Sequence, residues 1–266
     1  MPEKLCTDMA TDQETRSVPA SATTKDDSQI ATVAAPANES AHAADDKNNE
    51  RTGNDALPSP EACQKVENYQ VLDREGNAHP FKSLYQGPDT AQRVLIIFVR
   101  HFFCGSCQEF LISLSQAIKP DDLARLPTST SIVVIGCGDP GLIEFYATHT
   151  ECPFPMYADP TRKLYDDLGM TNTLALGSKP EYIRKSMLRI IGESIIQGLK
   201  QIPSGLATKG GDSRQVGGEF LYEITAAGLQ KQVTWCHRME TTRDHTSIDK
   251  LVRVLDPGGQ YLQRGT

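Results

Sequence analysis

Two cysteines separated by two residues, Cys104 and Cys107, are the part of the sequence with the most direct chemistry. Thiols at this spacing are close enough to bridge, so the pair can carry two electrons between a dithiol and a redox-active disulfide. Such exchange needs one thiol to ionise near neutral pH, because the thiolate is the nucleophile. The spacing therefore predicts a redox site in which Cys104 and Cys107 are the catalytic residues.

A predicted strand and a predicted helix flank this Cys pair. Residues 94–99 form a continuous apolar, β-branched-rich run, which is typical of a strand buried on both faces of a mainly parallel sheet. Leu111, Leu114, Ala117 and Ile118 then recur at helical spacing. A thiol at the start of that helix faces unpaired N–H groups and the positive end of the helix dipole, and both favour the thiolate.

Three further side chains are candidates for supporting the pair. Arg100 and His101 directly precede it, and a cation pointing toward the sulfur atoms would stabilise a thiolate. Cys137 follows a second predicted strand, residues 131–135. Because a right-handed crossover makes the two strands parallel, Cys137 is expected at the same edge of the sheet.

His237 lies on a later predicted hairpin strand and is a further candidate for lining the pocket, although a surface position for His237 and for His245 is the simpler interpretation. Two alternatives concern the cysteines themselves. A buried, inert Cys pair is disfavoured by the electropositive helix start. A zinc site built from the pair, Cys137 and His101 lacks the second Cys-x-x-Cys or His pair of structural zinc sites, so no metal is expected.

Residues 1–60 differ in composition from the rest of the chain. They contain no Phe, Trp or Tyr and carry 11 acidic and 5 basic residues, so they account for −6 of the total net charge of −7. A segment this polar cannot bury enough apolar surface to offset its chain entropy, so we expect a disordered acidic tail. The remainder is close to neutral, which gives no electrostatic reason to expect a nucleic-acid partner.

The N-terminal residues contain no apolar stretch long enough for a signal peptide, and no run approaches the roughly 20 apolar residues of a transmembrane helix. A cytoplasmic location is therefore expected. In that reducing setting the seven cysteines do not imply a disulfide framework, and a close Cys pair is more typical of catalysis, redox sensing or metal binding.

The order of predicted elements indicates an α/β fold, with a central mixed sheet flanked by helices, over residues 61–258. The elements are a short hairpin within 69–84, an alternating β-α-β-α-β series over 94–168, a helical insertion at about 178–210, an antiparallel hairpin over 219–236 and a closing helix over 247–255. A polar C-terminal tail, residues 259–266, follows.

The insertion carries apolar residues at helical spacing and basic residues near its start. We expect the apolar face to pack on the sheet and the basic side to face solvent; docking on a membrane or a partner is the alternative. The apolar face consists of Ile183, Met187, Ile190, Ile191, Ile195 and Leu199.

Four stretches in order resemble a known family, the AhpC/TSA antioxidant-enzyme-domain proteins, which are the peroxiredoxin-like branch of the thioredoxin superfamily. They are FVRHFFCGSC at 98–107, FPMYADPTRKLYDDLGM at 154–170, QVGGEF at 215–220, and WCHRM at 235–239 followed by Asp244-His245. The resemblance covers roughly residues 66–256 and implies a thioredoxin-like fold. It also implies a thiol-dependent oxidoreductase that reduces peroxides or disulfides with electrons from a thiol donor.

The family offers two orders of attack. In thioredoxin-type chemistry Cys104 attacks and Cys107 resolves, and this is the order we favour; in peroxiredoxin-type chemistry Cys107 attacks the peroxide and Cys104 closes the disulfide. The chain departs from both parents, since residues 215–218 lack the cis-proline of thioredoxins and Cys104 stands where peroxiredoxins have a threonine. The alternative function is therefore a non-catalytic or redox-sensing binding protein. A homodimer is a further expected partner state, and no cofactor is expected.

Overall fold

The structure is a computed structural model that describes residues 54–262 except 226, 227 and 229. Most of the expected acidic tail, 1–53, and the end of the expected C-terminal tail, 263–266, lie outside the described residues.

Within that part the strands are β1 (Gln70–Leu72), β2 (Ala78–Pro80), β3 (Arg93–Phe98), β4 (Thr130–Gly136), β5 (Met156–Ala158), β6 (Gly218–Ile224) and β7 (Lys231–Arg238). The helices are α1 (Pro60–Val66), α2 (Gly105–Ala117), α3 (Pro120–Ala124), α4 (Ile143–Thr150), α5 (Lys163–Asp167), α6 (Met187–Lys200) and α7 (Ile248–Leu255). Single 3₁₀ turns cover Phe81–Leu84 and Pro140–Leu142.

The strands form one mixed sheet in the order β2-β1-β5-β4-β3-β6-β7. β3, β4 and β5 are parallel at its centre, whereas β6 and β7 are antiparallel on one side and β1 is antiparallel to β5 on the other. Phe98, at the end of β3, pairs with Ile135 of β4 and Gly218 of β6. The chain leaves the sheet at this edge to form the Cys pair, as the strand-to-helix order predicts.

Alternating residues of β3 enter two apolar layers, one on each face of the sheet. Leu95 and Ile97 pack with α2, α4 and α7, while Ile96 and Phe98 pack with α1 and α5. This two-sided burial explains the continuous apolar run in β3. The Cys pair belongs to the first layer and Cys137 to the second, so the sheet separates Cys137 from the layer that holds the pair.

Several predicted elements are confirmed with small shifts in their ends. β1 and β2 form the expected hairpin, whose turn contains Gly76 at φ +83°. The last helix of the alternating series begins at Lys163. Asp159 accepts hydrogen bonds from the backbone N–H groups of Thr161, Arg162 and Leu164, so it holds a turn ahead of the helix. Gly169, at φ +81°, follows the helix in the left-handed conformation typical of a helix C-terminus.

α6 differs from the prediction in its start and in the face that it buries. It begins at Met187 and packs against α2 through the buried side chains of Ile190 and Gln197. Ile191, Ile195 and Leu199, which were expected to pack inward, are exposed. They lie outside the stripe that meets α2, so the expectation that the whole apolar face is covered is wrong.

A close approach positions α6 beside the Cys pair. A Cβ atom added to Gly105 would clash with Ile190 Cγ2, so the glycine lets α6 lie close to the first turn of α2. The residue after Cys104 therefore decides how near the insertion approaches. No helix in the described part of the chain is both long and apolar enough to cross a membrane.

Candidate active site

Cys104 occupies the N-cap of α2, directly beyond the end of the central strand. Its backbone is extended, and its Sγ accepts a hydrogen bond from the N–H of Cys107 at 3.4 Å. An N-cap side chain satisfies a helix N–H group that has no partner within the helix. When the acceptor is sulfur, the same bond and the helix dipole stabilise a thiolate.

Arg100 supplies a cation to this sulfur. Its Nη1 lies 3.3 Å from Cys104 Sγ. The same guanidinium donates to the backbone carbonyls of Gln215 at 3.1 Å, of Ser213, and of Thr242 at 3.5 Å. Because Arg100 is buried and held at several points, its charge stays fixed against the sulfur.

These contacts shift the pKa values of the two thiols in opposite directions. Burial raises the pKa of Cys104, but the hydrogen bond from Cys107 and the charge of Arg100 outweigh it and hold that pKa well below its usual value. Burial and the neighbouring Cys104 thiolate hold the pKa of Cys107 well above its usual value. The pair therefore combines a thiol that ionises readily with one that holds its proton.

Ser106 links Cys104 to the segment after β7. Its Oγ lies 3.2 Å from Cys104 Sγ and donates to the backbone carbonyl of Thr242 at 3.0 Å. The Thr242 carbonyl thus holds both Ser106 and Arg100, which are the side chains on either side of the sulfur.

Cys107 contacts a second polar group on its other side. His245 Nε2 lies 3.4 Å from Cys107 Sγ, and His245 Nδ1 lies 2.6 Å from Glu219 Oε1. The side chains of His245 and Glu219 are fully buried, and the histidine ring stacks on Phe110 with centroids 4.2 Å apart. A buried carboxylate–imidazole hydrogen bond of this kind beside a cysteine is typical of a functional site.

Several neighbouring groups stabilise the charged form of Glu219. Burial raises its pKa, but the hydrogen bond from His245, the charge of His237 and the hydroxyl of Thr246 outweigh burial and lower it. Thr246 donates to Glu219 Oε2 from its Oγ1 at 2.9 Å and from its N–H at 3.4 Å. Glu219 is therefore a carboxylate at neutral pH.

A depression of about 330 Å³ opens above Cys104. Its polar side contains Arg100, Ser106 and Thr242, and its apolar side is formed by Leu176, Ile190, Ile191 and Ile195. Cys104 itself is 3% exposed, and this depression is the opening next to its sulfur. α6 thus supplies an apolar wall to the site.

The predicted supporting residues have different outcomes. The structure brings Arg100 to Cys104, and His101 lines the same depression, where burial lowers its pKa. Cys137 donates to the backbone carbonyl of Arg100 at 2.7 Å, packs in the layer across the sheet, and has a pKa raised to about 12 by burial. Both nitrogens of His237 are bound elsewhere: Nδ1 lies 2.8 Å from an Asp55 carboxylate oxygen, and Nε2 lies 2.8 Å from the Asp244 carbonyl.

Two residues beside Cys107 were not predicted. A surface position was the simpler interpretation for His245, yet it is buried, and Glu219 was read only as part of a strand. The available signal was a glutamate at the start of the apolar part of Gly218–Ile224, a strand whose second glutamate, Glu223, lies near its other end. Since a fully buried carboxylate requires a partner, Glu219 could have suggested a nearby cation or donor.

The residues proposed for the zinc alternative do not form a metal site. In the ranges that the structure describes, no three or more His, Cys, Asp or Glu residues are placed to hold a metal ion.

A mixed sheet with a Cys-x-x-Cys pair at the start of the helix after its central strand defines a protein of the thioredoxin-like fold. Comparison with known proteins narrows this class. The family model for AhpC/TSA antioxidant enzymes matches residues 113–241. Peroxiredoxin-like 2C of Takifugu rubripes is 31% identical over 194 residues, which cover 72% of this chain and 80% of that protein. The chain therefore belongs to the peroxiredoxin-like AhpC/TSA family.

Two further comparisons, one with a relative and one with a solved structure, give the following similarities. Peroxiredoxin-like 2C of Homo sapiens is 27% identical over 194 residues, covering 70% of this chain and 76% of that protein. Among solved structures, peroxiredoxin Q of Xanthomonas campestris aligns with a TM-score of 0.45 at 10% identity, covering 78% of this chain and 99% of that one.

Proposed function

We propose that the chain is a thiol-dependent oxidoreductase in which Cys104 is the nucleophile and Cys107 the resolving thiol. The observation that carries this proposal is the position of Cys104 Sγ, at a helix N-terminus and 3.3 Å from Arg100 Nη1. This environment favours a thiolate at neutral pH, and a thiolate attacks peroxides and disulfides.

The proposed reaction with a peroxide balances as follows. The Cys104 thiolate attacks one peroxide oxygen, the O–O bond breaks, and Cys104 becomes a sulfenic acid while hydroxide or an alkoxide leaves and takes a proton from solvent. The Cys107 sulfur then attacks Cys104 Sγ, forming the disulfide and releasing water. With a disulfide substrate the same attack gives a mixed disulfide, which Cys107 resolves. In both cases two electrons pass from the two thiols to the substrate.

The remaining parts of the proposal follow from this chemistry. The two sulfur atoms carry the electrons, so no bound cofactor enters the cycle. A cellular dithiol or low-molecular-weight thiol returns the electrons, which requires a reducing compartment such as the cytoplasm. An antioxidant role follows if peroxides are the substrates.

The proposal is tested by oxidising the fully reduced protein with one equivalent of hydrogen peroxide, an organic peroxide or a disulfide. We expect a Cys104–Cys107 disulfide on peptide mapping, and continued consumption of oxidant when a thiol donor is present. Cys137 serves as an internal control, because a thiol with a pKa of about 12 stays protonated and reduced. No turnover with all three oxidants would contradict the proposal.

One observation favours a second candidate function, a redox-sensing binding protein. α6 presents a row of aliphatic side chains to solvent beside the Cys104 depression, and Leu188 is 85% exposed. Apolar rows of this kind mark interaction surfaces. The proposed partner is a second copy of the chain. The row consists of Leu188, Ile191, Ile195, Ile196, Leu199 and Ile202.

The dimer is tested by sedimentation of the reduced and oxidised protein. Burying two leucines contributes roughly 3–6 kcal/mol, so combining Leu188→Ser with Leu199→Ser should raise the dimer dissociation constant by at least about 10²-fold. Ile224→Ser is the matched control, because Ile224 is a half-exposed aliphatic residue at the end of β6. A wild-type chain that sediments as a monomer in both redox states would show that the dimer proposal is wrong.

A further inference from the structure

We infer that His245 and Glu219 form a buried proton relay for Cys107, in which His245 takes the thiol proton as Cys107 attacks the oxidised Cys104 and Glu219 holds the histidine in place. This inference rests on the proposed function. In it, His245 is a catalytic residue, since it touches a reacting sulfur, and Glu219 is a positioning residue.

The hydrogen bonds define the orientation of the imidazole. Glu219 is a carboxylate and can only accept, so the 2.6 Å contact requires a proton on His245 Nδ1. In the neutral ring Nε2 then carries a lone pair, and it lies 3.4 Å from Cys107 Sγ. Stacking on Phe110, with 8° between the ring planes, holds the imidazole plane. The base is therefore oriented toward the thiol before the reaction begins.

The proton on Cys107 has two acceptors, and the state of Cys104 decides between them. In the reduced pair, the Cys104 thiolate accepts a hydrogen bond from Cys107, which lowers the pKa of Cys104. Once Cys104 is a sulfenic acid or a mixed disulfide, it no longer carries the charge that attracted this proton. His245 Nε2 is then the remaining strong acceptor, so the relay acts after the first step and not before it.

The resolving step balances with the relay included. The S–H bond of Cys107 breaks as its proton moves to His245 Nε2, and the Cys107 sulfur forms the S–S bond with Cys104. The leaving hydroxide, or the leaving thiolate of a mixed disulfide, takes up a proton from the imidazolium or solvent.

The charged and titratable groups around the relay come from several elements. Cys107 approaches from α2, and Glu219 from β6. His237 of β7 is the cross-strand partner of Glu219, and the hydroxyl of Tyr182 accepts a hydrogen bond from the His245 backbone N–H at 3.3 Å. Arg100 and Cys104 act on Cys107 from the other side. Within this set, Glu219 is the carboxylate that contacts His245 directly.

A purely structural role explains the arrangement less well. Burying a carboxylate and an imidazole costs free energy that an apolar pair of similar volume would avoid. The cost is offset here by hydrogen bonds from Thr246 and His245, and the one ring nitrogen not used for this purpose faces a thiol. The same geometry orients a base in other nucleophile–base–carboxylate sites.

The test uses a nitrobenzoate disulfide, which releases one coloured thiolate when Cys104 attacks and a second when Cys107 resolves. The first release should be nearly unchanged in His245→Gln. The second should be slower by about 10²-fold, the usual contribution of a positioned general base. Glu219→Gln should slow it by about tenfold, because an amide still accepts from Nδ1 but does not stabilise the imidazolium. The thiolate released by Cys104→Ser is subtracted, because it measures the reaction of the reagent with the other cysteines.

The pH profile separates the relay from a structural effect. Without a base, the second release depends on the Cys107 thiolate and rises about tenfold per pH unit between about pH 6 and pH 9, because burial raises the pKa of Cys107. The wild type should rise less than about tenfold over the whole range. The wild-type profile tests the relay by itself, so this part of the test does not depend on whether a variant folds. His79→Gln, a change in a histidine that binds Asp73, is the matched control and should behave as wild type.

The two proposals fail in different ways. A missing first release in the wild type would overturn the proposed function and the relay with it. A normal first release, followed by a second release whose rate and pH profile are the same in the wild type, His245→Gln and Glu219→Gln, would overturn the relay alone. Thermal melting of each variant shows that the fold is retained.

Discussion

Cys104→Ser is expected to reduce peroxide and disulfide turnover by at least about 10³-fold, whereas Cys107→Ser retains the first attack. A serine hydroxyl is a far weaker nucleophile than a thiolate at neutral pH, and Arg100 stabilises the charge on this sulfur atom in particular. In Cys107→Ser the N–H that caps Cys104 remains, and the hydroxyl can still donate to its sulfur. This variant should therefore react once and accumulate an unresolved Cys104 product.

Single-turnover measurements distinguish the two orders of attack. With peroxide, Cys107→Ser should accumulate a sulfenic acid that dimedone traps at Cys104, and with a disulfide it should accumulate a mixed disulfide there. Cys152→Ser is the matched control, because Cys152 is a half-buried thiol in the loop before β5. Trapping at Cys107 in Cys104→Ser, with no trapping in Cys107→Ser, would support the peroxiredoxin-type order instead.

The part of this site that could be predicted from the sequence is the part that is local in the chain. β3, the turn and the first turn of α2 are consecutive, so placing the strand and the helix also places Arg100, Cys104 and Cys107. The strands β3 and β4 could also be predicted, because a strand that is buried on both faces has a continuous run of apolar residues. Local periodicity is thus enough for the sheet edge and the nucleophile.

The second half of the site could not be predicted in this way. His245 contacts Cys107 across 138 positions of the chain, and Glu219 reaches His245 across 26. Their meeting depends on the register that places Glu219 opposite Ile97 of β3, and no local pattern specifies that register. α6 illustrates a related limit, since the helical period was read correctly but the period alone does not say which side of the helix meets α2.

Arg100→Met is expected to slow the first step at pH 7 by about 10- to 10³-fold. An opposite charge beside an acid lowers its pKa, so losing the guanidinium 3.3 Å from Cys104 Sγ raises the pKa of Cys104. The direction of this pKa shift determines how the rate depends on pH. In the wild type the thiolate is already formed at neutral pH, and the rate is flat as pH increases. In Arg100→Met the thiolate fraction at pH 7 is small, so the rate rises with pH and approaches the wild-type rate in alkaline solution.

Arg100→Lys separates charge from geometry in this experiment. Lysine keeps the positive charge but lacks the planar fork that binds the carbonyls of Gln215, Ser213 and Thr242. We therefore expect Arg100→Lys to retain most of the low pKa of Cys104 and to lose thermal stability, while Arg100→Met loses both. The ultraviolet absorbance of the thiolate, titrated against pH, reports the pKa directly. If the Cys104 titration is the same in all three proteins, Arg100 does not stabilise the thiolate, and the helix N-terminus and the hydrogen bond from Cys107 are then sufficient to activate Cys104.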